Sequence, residues 1–166
     1  KAGHSRLSFE GAGDCLKDLR SSIDREEFVG EFRKHMPLFE KPEYGKYRLP
    51  PNIYYAGYGF RGNEDSAKAA LSTALVKEEG YEEYKISPSF GVVPLKLVSA
   101  SFYHLDTCFC PLFSGHLMLY RPAFSNESLA TIDALFPADR QICVTEEDAL
   151  DFVCNAVEIT RTQVLI

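Results

Sequence analysis

Apolar positions along the chain alternate between short β-prone runs and longer stretches with helical spacing. The runs are rich in aromatic and branched residues, which favour strands, while apolar residues three or four positions apart favour helices. The predicted strands cover 53–60, 92–99, 117–121 and 142–144, with a further strand at the end of the chain. The predicted helices run between Asn63 and Gly80, from Ser125 to Leu135 and from Thr145 to about Val157. Strands that alternate with helices in this way predict an α/β fold.

Residues 17–52 interrupt the alternation, because this stretch is charged and contains four prolines. Proline cannot continue a helix and is poorly tolerated inside a sheet. One short capped helix is predicted at Ser22–Glu26. A length of 166 residues fits one domain. We therefore expect a single domain with a surface insertion at about 17–52.

The composition is that of an ordinary folded domain, with 45% hydrophobic and 25% charged residues. The net charge is −6 and no Lys/Arg run is longer than two, which argues against binding the phosphate backbone of nucleic acid. No apolar stretch approaches the ~18–20 residues that a membrane span requires. Five cysteines, an odd number without a disulfide-framework spacing, favour a reducing compartment. We therefore expect a cytoplasmic protein that binds neither nucleic acid nor a membrane.

The segment Gly57–Gly62 has the form G-x-G-x-x-G between a predicted strand and a predicted helix. In a dinucleotide site, such glycines let the pyrophosphate approach backbone amides at a helix N-terminus. That site also needs a strand ending in an acidic residue ~20 residues further on. Glu82 and Glu83 fall instead in a polar linker. A tight turn explains these glycines better than a dinucleotide cofactor does.

A second motif, His104–Cys110, places potential metal ligands at alternate positions. In an extended strand, His104, Asp106, Cys108 and Cys110 would share one face. Same-face neighbours lie ~6.6 Å apart, so four of them on one straight strand cannot surround a zinc ion tetrahedrally. We therefore predict no metal and two cysteines buried as small hydrophobic residues. The His–Asp pair is a candidate for proton transfer and for holding a planar cation, with a purely structural pair as the alternative.

Three segments together resemble, in their order and character, the guanidino-group-modifying superfamily. They are the glycine-rich acidic turn Phe9–Asp14, the strand end Tyr55–Arg61 and the motif Tyr103–Phe109. This superfamily includes arginine deiminases, dimethylarginine dimethylaminohydrolases and glycine amidinotransferases. The resemblance implies the pentein fold, an α/β propeller of ββαβ modules around a polar tunnel. Since the chain opens at Lys1 and stops within an apparent strand, we expect it to be a fragment with roughly three of the five modules.

The resemblance also implies roles for five side chains. His104 is similar to the general acid/base, and Glu10 to the catalytic acid of an E/D-G-G-D turn, although the second glycine position here is Ala12. Asp106 resembles the carboxylate that clasps the guanidinium, and Arg61 the arginine that pairs with the α-carboxylate of the substrate. Asp14 resembles the acidic residue that closes the turn. Its expected role is either substrate binding or support of the turn structure. An aspartate at position 106 is typical of the deiminases and amidinotransferases, whereas the dimethylarginine hydrolases more often lack it.

The chemistry implied is hydrolysis of a guanidine C–N bond in arginine or a methylated arginine, with citrulline as the expected product. A thiolate attacks the guanidine carbon, an amidino-thioether forms, and neither a metal nor an organic cofactor takes part. None of the five cysteines aligns with the family nucleophile, so we expect that thiol to lie outside this chain and the chain alone to be inactive. A complementing chain or self-association would then complete the fold. An amidinotransferase and a non-catalytic pentein binding module are the alternatives.

Overall fold

The computed structural model describes residues 12–35, 52–60, 90–160 and 163–165, in a mixed arrangement of α-helices and β-strands. The strands are β1 (Cys15–Lys17), β2 (Asn52–Tyr58), β3 (Phe90–Lys96), β4 (Phe109–Pro111), β5 (Leu117–Leu119), β6 (Gln141–Cys143), β7 (Val157–Thr160) and β8 (Gln163–Leu165). The α-helices are α1 (Ser22–Glu26), α2 (Val29–His35), α3 (Asn126–Leu135) and α4 (Glu146–Leu150). The helix predicted between Asn63 and Gly80 lies outside the described residues.

Two three-stranded sheets repeat the same strand pattern. In the first, β1 pairs antiparallel with β2, and β2 pairs parallel with β3. In the second, β4 pairs antiparallel with β5, and β5 pairs parallel with β6 after the intervening helix α3. A third antiparallel pair, β7 and β8, follows. The same order of one antiparallel and one parallel strand pair therefore occurs twice in the described residues.

Two of the predicted helices begin at the capping residues that the sequence indicates. The Ser125 hydroxyl accepts a hydrogen bond from the Ser128 amide at 3.2 Å and starts α3, which ends at Leu135 as expected. The Ser21 side chain caps α1 in the same way. In β3, Pro94 lies within an edge strand of the described sheet, as its missing N–H requires. Within the described ranges, no helix has the length and apolar character needed to cross a bilayer.

The predicted extent of α4 is wrong, because the helix ends at Leu150 instead of about Val157. Phe152 has a φ of 58°, in the left-handed region. Its amide donates to the Ala149 carbonyl, and the next amide, that of Val153, donates to the Asp148 carbonyl. This pair of hydrogen bonds is the Schellman ending of a helix. Glycine is the usual residue at that left-handed position, so a phenylalanine there hides the helix end from sequence analysis.

The main hydrophobic cluster lies between the two sheets and the helices α2 and α3. The Tyr55 ring is 5.0 Å from the Phe109 ring and 5.9 Å from the Phe136 ring, which joins β2, β4 and the end of α3. Phe32 of α2 is fully buried in the same cluster. Phe32 thus connects the described part of the predicted insertion to the core.

A buried ion pair fixes this segment to the core. The Arg20 guanidinium donates to both oxygens of Asp18, to the Tyr55 hydroxyl at 3.0 Å and to the Leu135 carbonyl at 2.6 Å. It also lies 4.1 Å from the centre of the Phe136 ring. Asp18 accepts a further hydrogen bond from the Tyr55 hydroxyl, so the buried charges are paired and hydrogen-bonded.

Candidate active site

Two short 3₁₀ turns, Ala12–Asp14 and Leu105–Thr107, lie directly before β1 and β4 and place their side chains together. Residues 104–108 do not form a straight strand, because the amides of Thr107 and Cys108 donate to the carbonyls of His104 and Leu105. The extended arrangement considered for the metal hypothesis is therefore absent from this motif. The turn instead leaves His104 and Asp106 near Asp14.

His104 is held by the buried carboxylate of Asp14. The distance between Nδ1 of His104 and Oδ2 of Asp14 is 3.2 Å. The other carboxylate oxygen, Oδ1, accepts from the Leu105 amide at 3.2 Å, which fixes the carboxylate to the second turn. Asp14 is 4% exposed, whereas the His104 side chain is 26% exposed. An ionised carboxylate can only accept, so a hydrogen bond between the two groups requires the hydrogen on Nδ1, which leaves Nε2 to exchange a proton with a ligand.

Asp106 supplies a second carboxylate beside the first. Burial raises the pKa of its carboxyl above the usual value, the charge of His104 opposes this increase, and the charge of Asp14 adds to it. Asp106 lines a cleft of about 310 Å³ together with Lys17, Asn155 and Ala156. A partly buried carboxylate at the wall of a cleft is suited to a planar cation, which can offer it two hydrogen bonds at once.

Two glycines allow this close packing of carboxylates against backbone. A Cβ at Gly13 would lie 2.7 Å from Oδ2 of Asp106. A Cβ at Gly57 would lie 2.9 Å from the Leu105 Cβ and 3.3 Å from Oδ1 of Asp14. The distances of 2.7 Å and 2.9 Å are shorter than a Cβ tolerates, so a side chain at either position would displace Asp106 or Leu105. Gly57 therefore has a packing role in β2, while Gly59 has the turn conformation expected of the motif, with a φ of 125°.

All five cysteines lie in described residues and are free thiols. Cys108 and Cys110 are buried, as predicted. Burial raises the pKa of the Cys154 thiol to about 12, with Cys110 adding to the increase. Burial and then the charge of Asp14 raise the pKa of Cys15, also to about 12. Burial likewise raises the pKa values of Cys108 and Cys110.

The structure brings together three of the five predicted site residues, namely Asp14, His104 and Asp106. Glu10 and Arg61 lie outside the described residues. Over the described ranges, no group of three or more His, Cys, Asp or Glu side chains has an arrangement that could hold a metal ion. The packing roles of Gly13 and Gly57 are not predicted from the sequence. Their signal was glycine beside acidic or aromatic residues, which turn formation also explains.

Comparison with known proteins identifies relatives that act on arginine derivatives. The chain is 37% identical over 153 residues to the bifunctional arginine dihydrolase/ornithine cyclodeaminase ArgZ of Synechocystis, covering 92% of this chain and 16% of that protein. It is 37% identical over 102 residues to the N(G),N(G)-dimethylarginine dimethylaminohydrolase of Mycobacterium tuberculosis, covering 61% of this chain and 28% of that protein. No family model matches the chain.

Solved structures agree with the sequence relatives. The N-terminal domain of ArgZ bound to its product matches with a TM-score of 0.56 and 33% identity, covering 93% of this chain and 40% of that one. A second structure of that domain is covalently bonded to a reaction intermediate and matches with a TM-score of 0.54, 34% identity and 90% and 39% coverage. The chain thus spans less than half the length of each of these relatives. Its sequence and fold show that the chain belongs to the guanidino-group-modifying, or pentein, superfamily.

Proposed function

We propose that the protein hydrolyses a guanidine C–N bond of L-arginine or a methylated arginine. The observation that carries this proposal is the cluster in which His104 contacts the buried Asp14 carboxylate while Asp106 lies at the wall of the adjoining cleft. A proton-exchanging imidazole beside a carboxylate that can clasp a guanidinium is what this reaction requires. The relatives named above are hydrolases of arginine and dimethylarginine, which favours hydrolysis over transfer to an amine.

Substrate binding is assigned to carboxylates and one arginine. Asp106 accepts hydrogen bonds from the guanidinium, and its burial strengthens that charged interaction. By the family resemblance, Glu10 supplies a second carboxylate that holds the guanidinium, and Arg61 binds the α-carboxylate. Substrates are therefore α-amino acids with a guanidine group.

The five free thiols fit a reducing, cytoplasmic environment.

The reaction proceeds in two displacements. A cysteine thiolate forms a bond to the guanidine carbon, the C–N bond to the leaving amine breaks, and His104 gives that amine a proton. Water then adds to the amidino-thioether, His104 takes up a proton from it, and the C–S bond breaks to return the thiolate. Arginine and water give citrulline and ammonia in this sequence. The covalently bound intermediate in the ArgZ domain supports a covalent route in a relative.

The nucleophile is assigned to a part of the protein outside this chain. Burial raises the pKa values of Cys15, Cys108, Cys110 and Cys154, which keeps these thiols protonated and poorly nucleophilic. Cys143 is exposed on β6, in register with Leu119. The raised pKa values of the four buried or partly buried thiols support the family expectation that a thiol elsewhere in the polypeptide meets His104.

The test is a product assay on the intact protein with arginine, asymmetric dimethylarginine and agmatine, each with and without added glycine. We expect citrulline with ammonia or dimethylamine from the two amino acids and much slower turnover of agmatine. His104→Ala abolishes turnover, whereas His116→Ala, a histidine on the loop before β5, retains it. Formation of an amidino-glycine product would establish a transferase. Binding of arginine without any product would establish a binding module.

A further inference from the structure

Each antiparallel strand pair in the described fold is preceded by a turn that directs a polar side chain to the same site. The turn before β1 supplies Asp14, and the turn before β4 supplies His104 and Asp106. The turn before β7 supplies Asn155, whose Nδ2 atom donates to Oδ2 of Asp106 at 3.5 Å. The repeated strand pattern therefore places Asn155 in the third turn of a set whose first two turns already form the candidate site.

Contacts on both sides of Asn155 fix its position. Its amide donates to the Phe152 carbonyl at 2.8 Å, within the turn that ends α4. Cys154 is 2% exposed and belongs to a small hydrophobic cluster with Cys110 and Met118. On the other side, the Ala156 carbonyl accepts from the Cys110 thiol at 3.6 Å. The side-chain amide thus projects from an anchored turn into the cleft that Asp106 also lines.

The backbone at this turn is costly to form. Phe152, with its φ of 58°, occupies a left-handed conformation that is unfavourable for a residue other than glycine. Such conformations persist when the surrounding structure requires them. Here the left-handed residue reverses the chain after α4 and brings Asn155 back to Asp106.

We infer that Asn155 is a positioning residue for the guanidinium-binding carboxylate of Asp106. Its side-chain NH₂ group donates to one carboxylate oxygen, which orients the other oxygen towards the cleft. A donor to the ionised form also favours that form, opposing the effect of burial. This inference rests on the proposed function, because it assigns Asn155 to the binding step of that reaction.

Kinetics of the intact protein test the assignment. In Asn155→Ala we expect the KM for arginine to rise about tenfold, the effect of losing one hydrogen bond to a charged group. The kcat should change much less, since Asn155 does not touch the reacting atoms. The acid limb of kcat/KM should move to higher pH, because Asp106 loses a donor to its charged form. Asn155→Gln keeps the amide group and should partly restore the wild-type KM and acid limb. Asn126→Ala, on the exposed start of α3, should change neither the KM nor the acid limb.

A direct titration of Asp106 separates this inference from the proposed function. Carboxyl carbon NMR of the intact protein follows Asp106 in the wild type and in Asn155→Ala, and requires no turnover. We expect the Asp106 midpoint to move to higher pH in the variant. An unchanged midpoint and pH profile would overturn the inference even if melting temperature falls, since that result leaves Asn155 only a structural role. A shifted midpoint in a protein that does not turn over arginine would overturn the function and retain the positioning role.

Discussion

His104 is the residue on which the proposed proton transfers depend, and Asp14 fixes its orientation. In Asp14→Asn, the amide oxygen can still accept from the Leu105 amide, but the amide nitrogen cannot accept from Nδ1 of His104. We expect kcat for arginine to fall by about 10²–10⁴-fold, the usual contribution of a positioned acid–base group. Steady-state kinetics on the intact protein measure this loss.

The control for that variant is Asp139→Asn, which makes the same change on an exposed aspartate. It should retain wild-type kcat. A melting temperature close to that of the wild type in Asp14→Asn would show that the fold survives. Full activity in Asp14→Asn would assign Asp14 to structure alone.

The burial of Asp106 makes guanidinium binding depend on pH. Its pKa lies above the ordinary value of 3.8 because burial disfavours the charged carboxylate. Guanidinium binding needs the ionised form, so kcat/KM should fall as pH decreases through this raised pKa. The acid limb of the profile therefore lies at higher pH than an ordinary aspartate would give. An acid limb at the ordinary aspartate value would contradict the assignment of Asp106 to binding.

The raised pKa of Asp106 also makes the free energy of unfolding depend on pH, in the opposite direction to kcat/KM. Between the ordinary and the raised pKa of Asp106, the folded state binds more protons than the unfolded state, so the free energy of unfolding decreases as pH rises. Above this window, the ionised Asp106 lowers stability. We expect Asp106→Asn to raise the melting temperature at neutral pH while it weakens arginine binding. Calorimetry at neutral pH and below pH 4 tests this, because the difference between the two proteins should shrink at low pH.

At the scale of elements, the site depends on how closely the turn before β1 packs against the turn before β4. Gly13→Ala places a methyl group 2.7 Å from Oδ2 of Asp106, so the carboxylate must move. We expect a KM for arginine raised by about tenfold or more, because a displaced carboxylate loses a charge-assisted hydrogen bond. Gly30→Ala on α2 meets no atom within 4 Å and is the matched control. It should leave KM unchanged and stabilise the helix by about 0.5–1 kcal/mol.

The segment before α1 is held by a buried ion pair whose strength can be compared with that of an exposed pair. Arg20→Met leaves the Asp18 carboxylate buried without its cation, which we expect to cost about 3–5 kcal/mol of unfolding free energy. Arg121 donates to both oxygens of Asp133 at the surface. Arg121→Met should cost only about 0–1 kcal/mol. Equal losses in denaturant unfolding would show that burial does not determine the contribution of these pairs.

Local signals in the sequence predict most elements but not how those elements pack. Ser125 and Thr145 mark helix starts because capping is a contact within one turn of chain. The end of α4 was predicted wrongly because its left-handed residue is Phe152 instead of glycine. The site residues of the second motif could be named from the resemblance. The contact between His104 and Asp14 joins residues 90 positions apart, and no local pattern encodes it.

At the scale of the whole molecule, the repeated strand pattern explains how residues far apart in sequence form one site. Two units share the same order and direction of strands, and β7 with β8 repeats the antiparallel start of that pattern. Val157 on β7 lies opposite Leu165 on β8, and both side chains are exposed, as is that of Ile159 at the register irregularity in β7. We expect further polypeptide of the intact protein, or a complementing copy, to cover these side chains.

As an isolated protein, the 166-residue chain is expected to release neither citrulline nor ammonia from arginine. Water alone attacks the resonance-stabilised guanidinium carbon very slowly, so the reaction needs a thiolate within reach of His104. Burial raises the pKa values of four of the five thiols in this chain, and the proposal assigns the nucleophile elsewhere. Incubation of the purified chain with arginine, followed by amino-acid analysis, measures the release. Turnover that persists when every cysteine except one is replaced by serine would overturn this expectation, and that cysteine would be the nucleophile.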